Sequence, residues 1–306
     1  MTGYIALILL ILIVLFAVGS YIGFYIAFAR GLENRKNRKP MTDSWKEYME
    51  PIEKGRAWIY AQKPEEVHIA GIDGADLVAH YIPCPGSKKL IIMFHGYRSK
   101  NFTDFSCAAE YFHSIGLGML IVTQRAHGDS EGKYICFGSK ERYDCVDWAR
   151  YAYNRFGSET EIYLDGMSMG AATVLMAANL PLPPTVRGII ADCGYTRPWD
   201  IIGRTMNQLH IPKYPLLWGM EFICRTKGFS MLDCSAAESL RHTNIPVLFI
   251  HGEADTFVPV EMTYENHKAC ISKKQLVTVK NADHGVSFLV DETACKKALE
   301  DFILNT

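Results

Sequence analysis

Glu161-Ile162-Tyr163-Leu164-Asp165-Gly166-Met167-Ser168-Met169-Gly170-Ala171-Ala172-Thr173-Val174-Leu175 is the stretch on which the fold turns. A short strand-like run passes through Gly-x-Ser-x-Gly directly into a run of small residues suited to a helix lying close on a sheet. Such a pattern suits a very tight strand-to-helix turn that forces the serine into strained backbone angles. Glycines two positions to either side keep neighbouring side chains from clashing. The hydroxyl then stands above the sheet at the N-terminus of the following helix, whose dipole favours developing negative charge. Ser168 is therefore the candidate nucleophile.

Gly128-Asp129-Ser130-Glu131-Gly132 matches the same pattern. It also follows a strand, but it continues into Gly132-Lys133-Tyr134, and no helix is expected before about Lys140. Acidic neighbours would disfavour an alkoxide-like transition state at Ser130. Ser130 reads as a loop residue.

Outward from Ser168 the chain alternates between strands and helices. Val67–Ile72 and Leu77–Ile82 flank Asp73-Gly74-Ala75-Asp76 and read as a hairpin. Leu90–Phe94 is a continuous apolar run of the kind a buried parallel strand needs. Then follow a helix around Phe105–Ser114, a strand Gly118–Thr123 and a helix from about Lys140 to Phe156. Past Ser168, strand Val186–Ala191 precedes an irregular stretch. Strand Val247–Ile250, a helix through 260–271, strand Gln275–Val279 and a helix over 286–304 complete the series. Strict alternation argues for an α/β domain with a mostly parallel central sheet flanked by helices.

A serine hydroxyl needs a base, and the base needs an orienting acid. Asp255 follows the strand Val247–Ile250 within His251-Gly252-Glu253-Ala254-Asp255, and His284 follows Gln275–Val279 within Asp283-His284-Gly285. Glu253 and Asp283 are the rival acids. Glu253 lies too early, and Asp283, adjacent to His284, is set to point elsewhere. Two backbone N–H groups should hold the oxyanion. The amide of Met169 is one; the other is that of Tyr97, where His95-Gly96-Tyr97 leaves the strand ending at Phe94. His95 is expected to brace that loop.

Between Tyr4 and Ala29 there is no charged residue. As a helix this run of ~26 residues spans ~39 Å at ~1.5 Å per residue, more than the ~30 Å hydrocarbon core of a bilayer. Residues 1–29 are expected to form a single-pass membrane anchor. A cleavable signal peptide is the competing reading, since Ala27-Phe28-Ala29 offers an A-x-A site, but no basic segment precedes the run. Arg30, Arg35, Lys36, Arg38 and Lys39 follow it directly, which by the positive-inside rule places the body in the cytoplasm; an extracytoplasmic body is the alternative. Residues 30–63 are expected to form a basic juxtamembrane stalk with a short helix, and 64–306 the folded domain.

Composition narrows the partners. The 306 residues carry a net charge of -1 and a pI near 6.8, so no electrostatic case exists for nucleic acid. Nine scattered cysteines include no Cys-x-x-Cys pair. They read as reduced core thiols facing the cytosol rather than zinc ligands or disulfides. No metal and no cofactor is expected, and the oligomeric state is not legible.

His95-Gly96-Tyr97, Arg125-Ala126-His127-Gly128-Asp129-Ser130-Glu131-Gly132, the Ser168 pentapeptide, Asp192-Cys193-Gly194-Tyr195-Thr196, His251-Gly252-x-x-Asp255 and Asp283-His284-Gly285 occur in this order. Together they resemble the α/β-hydrolase superfamily from about residue 64 onward, in particular bacterial membrane-anchored members of its serine aminopeptidase-like and prolyl-oligopeptidase-like branches. The resemblance implies the chain order nucleophile, acid, histidine, which Ser168, Asp255 and His284 obey. It also implies that the segment containing Ser130 is a structural loop, and that residues 196–232 form a lid over the active site. That stretch is strongly apolar, and Trp199, Met206 and Trp218, with Phe257, are candidate pocket or lid residues. Most of the lid's apolar side chains should simply pack it onto the domain.

Three functions remain open at this point. The first is hydrolysis of lipophilic acyl esters or thioesters, favoured by the tether and the apolar lid. The second is peptidase action on small peptides, for which no selective site for a peptide terminus is visible. The third is a non-catalytic binding protein on a hydrolase scaffold, against which the intact Ser168, Asp255 and His284 argue.

Overall fold

The computed structural model describes residues 2–30, 43–99 and 101–306. Helix α1 (Thr2–Phe28) precedes a 3-10 turn (Asp43–Tyr48) and α2 (Met49–Ala61). Strands β1 (Glu65–Ala70), β2 (Asp76–Ile82) and β3 (Lys89–Phe94) lead to α3 (Asn101–Ser114), β4 (Leu117–Thr123), α4 (Glu141–Phe156) and β5 (Glu161–Met167). After α5 (Met169–Ala177) and β6 (Val186–Asp192) come α6 (Pro198–Gln208), α7 (Lys213–Thr226) and α8 (Ala236–Leu240). The series ends with β7 (Val247–Gly252), α9 (Val260–Ala269), β8 (Lys274–Val279), α10 (Ser287–Val290) and α11 (Glu292–Leu304).

The eight strands form one sheet in the order β1-β2-β4-β3-β5-β6-β7-β8. The β1–β2 hairpin is antiparallel, β2 runs antiparallel to β4, and β3 to β8 are parallel throughout. This is the α/β-hydrolase architecture expected from the motifs. Successive side chains of a strand point to opposite faces, and β3 shows it. Ile92 and Phe94 join Trp148, Leu164 and Val174 in one apolar cluster, while Ile91 and Met93 join Phe105, Tyr163 and Phe302 in the other. Helices cover both faces, so the strands are free to be apolar along their whole length.

Three features depart from expectation. The first is the segment before residue 64, expected as a stalk. Its first part, residues 31–42, lies outside the described residues, but from residue 43 onward it is folded onto the body. Ile52 and Ile59 are buried, Gly55 lies against the backbone of Ser106 in α3, and the Trp45 indole donates to the carbonyl of His284 at 2.8 Å. The folded body thus begins at residue 43, because α2 completes the cover over α3. The second is the terminal helix, which is broken at Asp291. The Asp291 carboxylate accepts from the amide of Ala294 and starts α11 afresh.

The third departure is α1, which is not wholly free of the domain. Phe24 and Phe28 are buried in the same apolar cluster as Leu164 and Trp148, stacked on one another and edged by Tyr134 and Phe137. At ~1.5–3 kcal/mol for each fully buried large apolar side chain, the last turns of α1 are part of the core. From Tyr4 to Leu15 the helix is exposed and apolar throughout.

The insertion between β6 and α8 holds α6 and α7. Pro198 supplies the first turn of α6, where its missing N–H costs nothing. Ile201, Ile202 and Met206 face inward from α6, and Leu217, Met220 and Cys224 from α7. The buried Glu221 carboxylate accepts from the Ser230 hydroxyl at 2.7 Å and the Met231 amide at 2.8 Å, tying the end of α7 to the returning chain.

Candidate active site

Ser168 stands alone between β5 and α5 with φ 56° and ψ -111°. For a residue with a Cβ this is a strained conformation. The turn closes only because its flanks are glycine: a methyl on Gly166 would meet the Gly170 carbonyl carbon at 2.3 Å, and one on Gly170 would meet the Phe94 carbonyl oxygen at 1.7 Å. The sequence pattern and the geometry have the same cause. Met169 opens α5, so its amide is among those left without an intrahelical acceptor.

Ser168 Oγ lies 2.9 Å from His284 Nε2, and His284 Nδ1 lies 2.7 Å from Asp255 Oδ2. All three side chains are buried, Ser168 to 2% exposure. The other carboxylate oxygen of Asp255 accepts from the amides of Phe257 at 2.9 Å and Val258 at 2.8 Å. Burial alone would raise the pKa of Asp255, but hydrogen bonds from His251 and His284 outweigh it and hold the carboxyl well below the usual range. An ionised Asp255 keeps the proton of His284 on Nδ1 and leaves Nε2 to accept from Ser168.

The structure gives the rival acids other work. Glu253 accepts from the Thr278 hydroxyl at 2.7 Å on the surface, and Asp283 from the Thr256 amide at 3.0 Å. Ser130 is a buried staple: its hydroxyl donates to the Thr123 carbonyl at 2.5 Å and accepts from the Val78 amide at 2.8 Å.

The loop after β3 is braced from below. Gly96 lies beside Ser168, and its amide donates to Asp104 at 2.6 Å. His95 Nδ1 donates to the Gly96 carbonyl at 2.8 Å, and Nε2 accepts from the Gln124 amide at 3.0 Å. His127 makes the same kind of bridge, accepting from the Arg98 amide at 2.9 Å and donating to the Arg125 carbonyl at 2.9 Å. Each imidazole needs one protonated and one bare nitrogen, and burial lowers the pKa of His95 toward that neutral form. Tyr97 lies on this loop beside the serine turn, stacked near Phe137.

Of the candidate lid residues, Met206 is buried, Trp199 is partly buried, and Phe257 sets its ring edge-on to His284 at 5.1 Å between centroids. Trp218 is 54% exposed, with its ring against Trp199 at 4.6 Å. It therefore stands at the lid surface rather than within it. The end of α6 is latched to the acid loop by Gln208, whose amide donates to the Thr256 carbonyl at 2.8 Å.

Sequence reasoning missed several supports. His251 lies 3.2 Å from Asp255 Oδ2, donates to the Val258 carbonyl at 2.9 Å and engages Thr263 at 2.6 Å. No local pattern in the sequence marks it for that role. Asp165 and Asp192 are buried beneath the serine turn. Burial, and the neighbouring Asp192, raise Asp165; burial raises Asp192 to about 6 against the pull of His251 and His284. Donor atoms of Cys193, Asp255 and His284 fall within 4.8 Å of one another, a spacing a metal could use. Both nitrogens of His284 are already committed to Ser168 and Asp255, so the set fits a hydrogen-bonded relay better than an ion. All nine cysteines are free thiols, seven of them buried.

The chain resembles known proteins in sequence and in fold. The chain is 26% identical over 234 residues to the uncharacterized Bacillus subtilis (strain 168) protein YqkD, covering 76% of each. An esterase from Pyrococcus furiosus has the same fold, with a TM-score of 0.66 at 22% identity over 80% of this chain and 93% of its own. A puromycin-hydrolyzing peptidase from Mycobacterium tuberculosis superposes with a TM-score of 0.60 at 16% identity, over 78% of this chain and 38% of its own. Residues 134–306, which include the serine turn, the acid loop and the histidine loop, match the prolyl oligopeptidase family. The chain belongs to that family and is a serine hydrolase.

Proposed function

We propose that the protein is a membrane-anchored serine hydrolase that cleaves an ester or thioester of a lipophilic substrate, with Ser168, His284 and Asp255 as its catalytic residues. The observation that carries the reading is the continuous hydrogen-bonded chain from Ser168 Oγ through both nitrogens of His284 to Asp255. Ser168 Oγ attacks the acyl carbon as its proton passes to His284 Nε2, and Asp255 stabilises the imidazolium that forms. The amides of Met169 and Tyr97 hold the oxyanion, each such donor contributing ~2.7–4 kcal/mol. The intermediate collapses as His284 returns the proton to the leaving alcohol or thiol, and water then releases the acyl group by the same route. Ser168 is almost wholly buried, and in this reading the substrate enters by a shift of the α6–α7 insertion that breaks the Gln208–Thr256 hydrogen bond.

Support for a lipophilic acyl substrate comes from the apolar lid, the apolar helix α1 and the esterase among the structural neighbours. The membership in a peptidase family and the peptidase neighbour favour the second reading, action on small peptides. A series of p-nitrophenyl esters and matched aminoacyl amides separates the two. The ester reading expects turnover of the esters, rising with acyl length and lost in Ser168→Ala; faster turnover of the amides would replace it with the peptidase reading. Failure of the native protein to react with a fluorophosphonate would favour a binding scaffold instead.

The anchor reading takes α1 as a single span with the body on the cytoplasmic side. The basic flank and the unpaired cysteines support that side. Protease digestion of sealed, inside-out vesicles tests it: the body should be degraded from outside, whereas protection would place it on the opposite face.

A further inference from the structure

Helix α7 carries apolar side chains that the fold leaves uncovered. Trp218 and Phe222, one turn apart, expose 54% and 71%, and Tyr214 at its non-helical start exposes 52%. Leu209 and Ile211, in the connection from α6, are exposed beside them in sequence. The inner face of the same insertion is packed, so this is a two-faced element with an apolar outside.

What covers it follows from the helix it packs on. Helices α1 and α7 meet at backbone range through small residues. A methyl on Gly219 would strike Ser20 Oγ at 2.1 Å and Phe16 at 2.9 Å; one on Gly19 would touch Leu216 at 3.1 Å, and one on Gly23 would touch the Met220 sulfur at 3.0 Å. This small-residue contact is the kind helices make within lipid. The opposite side of α1 at the same level, with Tyr21, Ile22, Tyr25 and Ile26, is exposed and carries no charge. Through the α1–α7 contact the uncovered apolar side chains of the two helices belong to one packed pair. Exposed His210 and half-buried Lys213, whose ammonium lies 5.1 Å from the Tyr214 ring centroid, are the polar groups among the side chains at the start of α7.

The first charge after the helix is Arg30, whose guanidinium donates to the Gly128 carbonyl at 2.7 Å. At ~1.5 Å per residue, Gly23 and Gly19 lie about 10 and 16 Å up the helix from it. The polar layer on each side of a bilayer is only ~5–8 Å thick. With α1 spanning, its contact with α7 falls at the level of the upper acyl chains.

We propose that α7 and the connection before it form a membrane-inserted surface, with Tyr214, Trp218, Phe222, Leu209 and Ile211 seated among lipid headgroups and upper acyl chains, so that the lid opens toward the leaflet. Tyrosine and tryptophan are the residues suited to that depth. The substrate would then be an acyl compound dissolved in the bilayer, reaching Ser168 without crossing water. This rests on the reading of α1 as a membrane span.

The test uses the full chain reconstituted in phosphatidylcholine–phosphatidylglycerol vesicles, with and without lipids brominated high on the acyl chain. Wild type should lose a fraction of its tryptophan emission to bromine that Trp218→Phe does not lose. If Trp218→Phe folds poorly, Phe222→Trp should instead gain a strongly quenched emission. Leu209→Ser with Phe222→Ser should raise KM severalfold for a long-chain ester held in the vesicles, with no change toward a short soluble ester. Alkaline carbonate washing separates the two readings. Protein that stays in the vesicles with Trp218 unquenched overturns the inference while α1 still anchors, and crosslinking of Trp218 to a second copy would identify the cover as a dimer. Protein that washes off overturns the anchor, and the inference with it.

Discussion

The phenol of Tyr97 donates to the carbonyl oxygen of Ala27 at 2.7 Å, joining the loop beside Ser168 to the last turn of α1. The neighbouring Arg98 guanidinium reaches the Ile26 carbonyl at 2.6 Å. Two otherwise orphaned carbonyls at the helix end are thus satisfied by the loop whose Tyr97 amide is proposed to bind the oxyanion. Any shift of α1 relative to the body is felt at the site.

Tyr97→Phe keeps that amide and removes only the tether. A neutral hydrogen bond contributes ~0.5–1.5 kcal/mol, so kcat/KM for a short ester should fall about two- to tenfold. Steady-state kinetics on the full-length variant, with thermal melting as a control for folding, measures it. Unchanged kinetics would mean that the loop is held by its His95, His127 and Asp104 braces alone.

Asp255→Asn should be far more damaging. The amide can donate to His284 Nδ1 and so favour the wrong tautomer, leaving Nε2 protonated and unable to take the Ser168 proton; losses of ~10⁴ in kcat are typical of that exchange. His251→Phe is milder in kcat and diagnostic in pH. His251 hydrogen-bonds the same carboxylate and is a cause of its lowered pKa, so its removal raises the pKa of Asp255. Asp255 should then take up its proton at higher pH, so acid-induced unfolding should begin at higher pH in His251→Phe than in wild type. The stability lost should be greatest near neutral pH and shrink once Asp255 is protonated, whereas a packing role alone would lower stability by the same amount at every pH.

Ser130→Ala tests the second Gly-x-Ser-x-Gly. The hydroxyl satisfies a buried amide and a buried carbonyl of neighbouring strands, and leaving a buried donor unsatisfied costs ~1–3 kcal/mol. The variant should unfold at lower denaturant concentration yet retain kcat and fluorophosphonate labelling, the reverse of Ser168→Ala.

Local pattern made most of this fold legible. Continuous apolar runs at 90–94 and 118–123 marked parallel strands, and the run of small residues after Gly170 separated Ser168 from Ser130. The exits of β7 and β8 placed Asp255 and His284 within reach of each other. Contacts between distant segments left no comparable trace. Nothing periodic announces that Trp45 will bond to the backbone of His284, or that Phe24 and Phe28 at the end of an apolar helix will enter the core rather than lipid. The break at Asp291 was visible as a capping residue followed by Glu292, but the apolar periodicity on either side masked it. His251 escaped because its partner lies four residues on in a loop, where that spacing has no fixed geometric meaning.

Asp192 supplies a pH dependence of stability with a definite sign. Its carboxyl is buried below the serine turn, one oxygen has no hydrogen-bond partner among the described residues, and burial raises its pKa to about 6 from an ordinary value of 3.8. A carboxyl with a folded pKa above its unfolded one holds its proton more tightly when folded, so its contribution to stability falls as pH rises from about 4 to about 6 and stays lost above that. The shift corresponds to ~3 kcal/mol at most. Asp192→Asn keeps the shape and removes the buried charge, so it should raise the denaturation midpoint most at pH 7.5, by about half as much at pH 5, and little near pH 4, below which folded and unfolded chains alike hold the proton. Equal effects at the three pH values would mean that Asp192 stays ionised through its attraction to His251 and His284, and acts with Asp255 as a second counter-charge to the imidazoles rather than as a neutral acid.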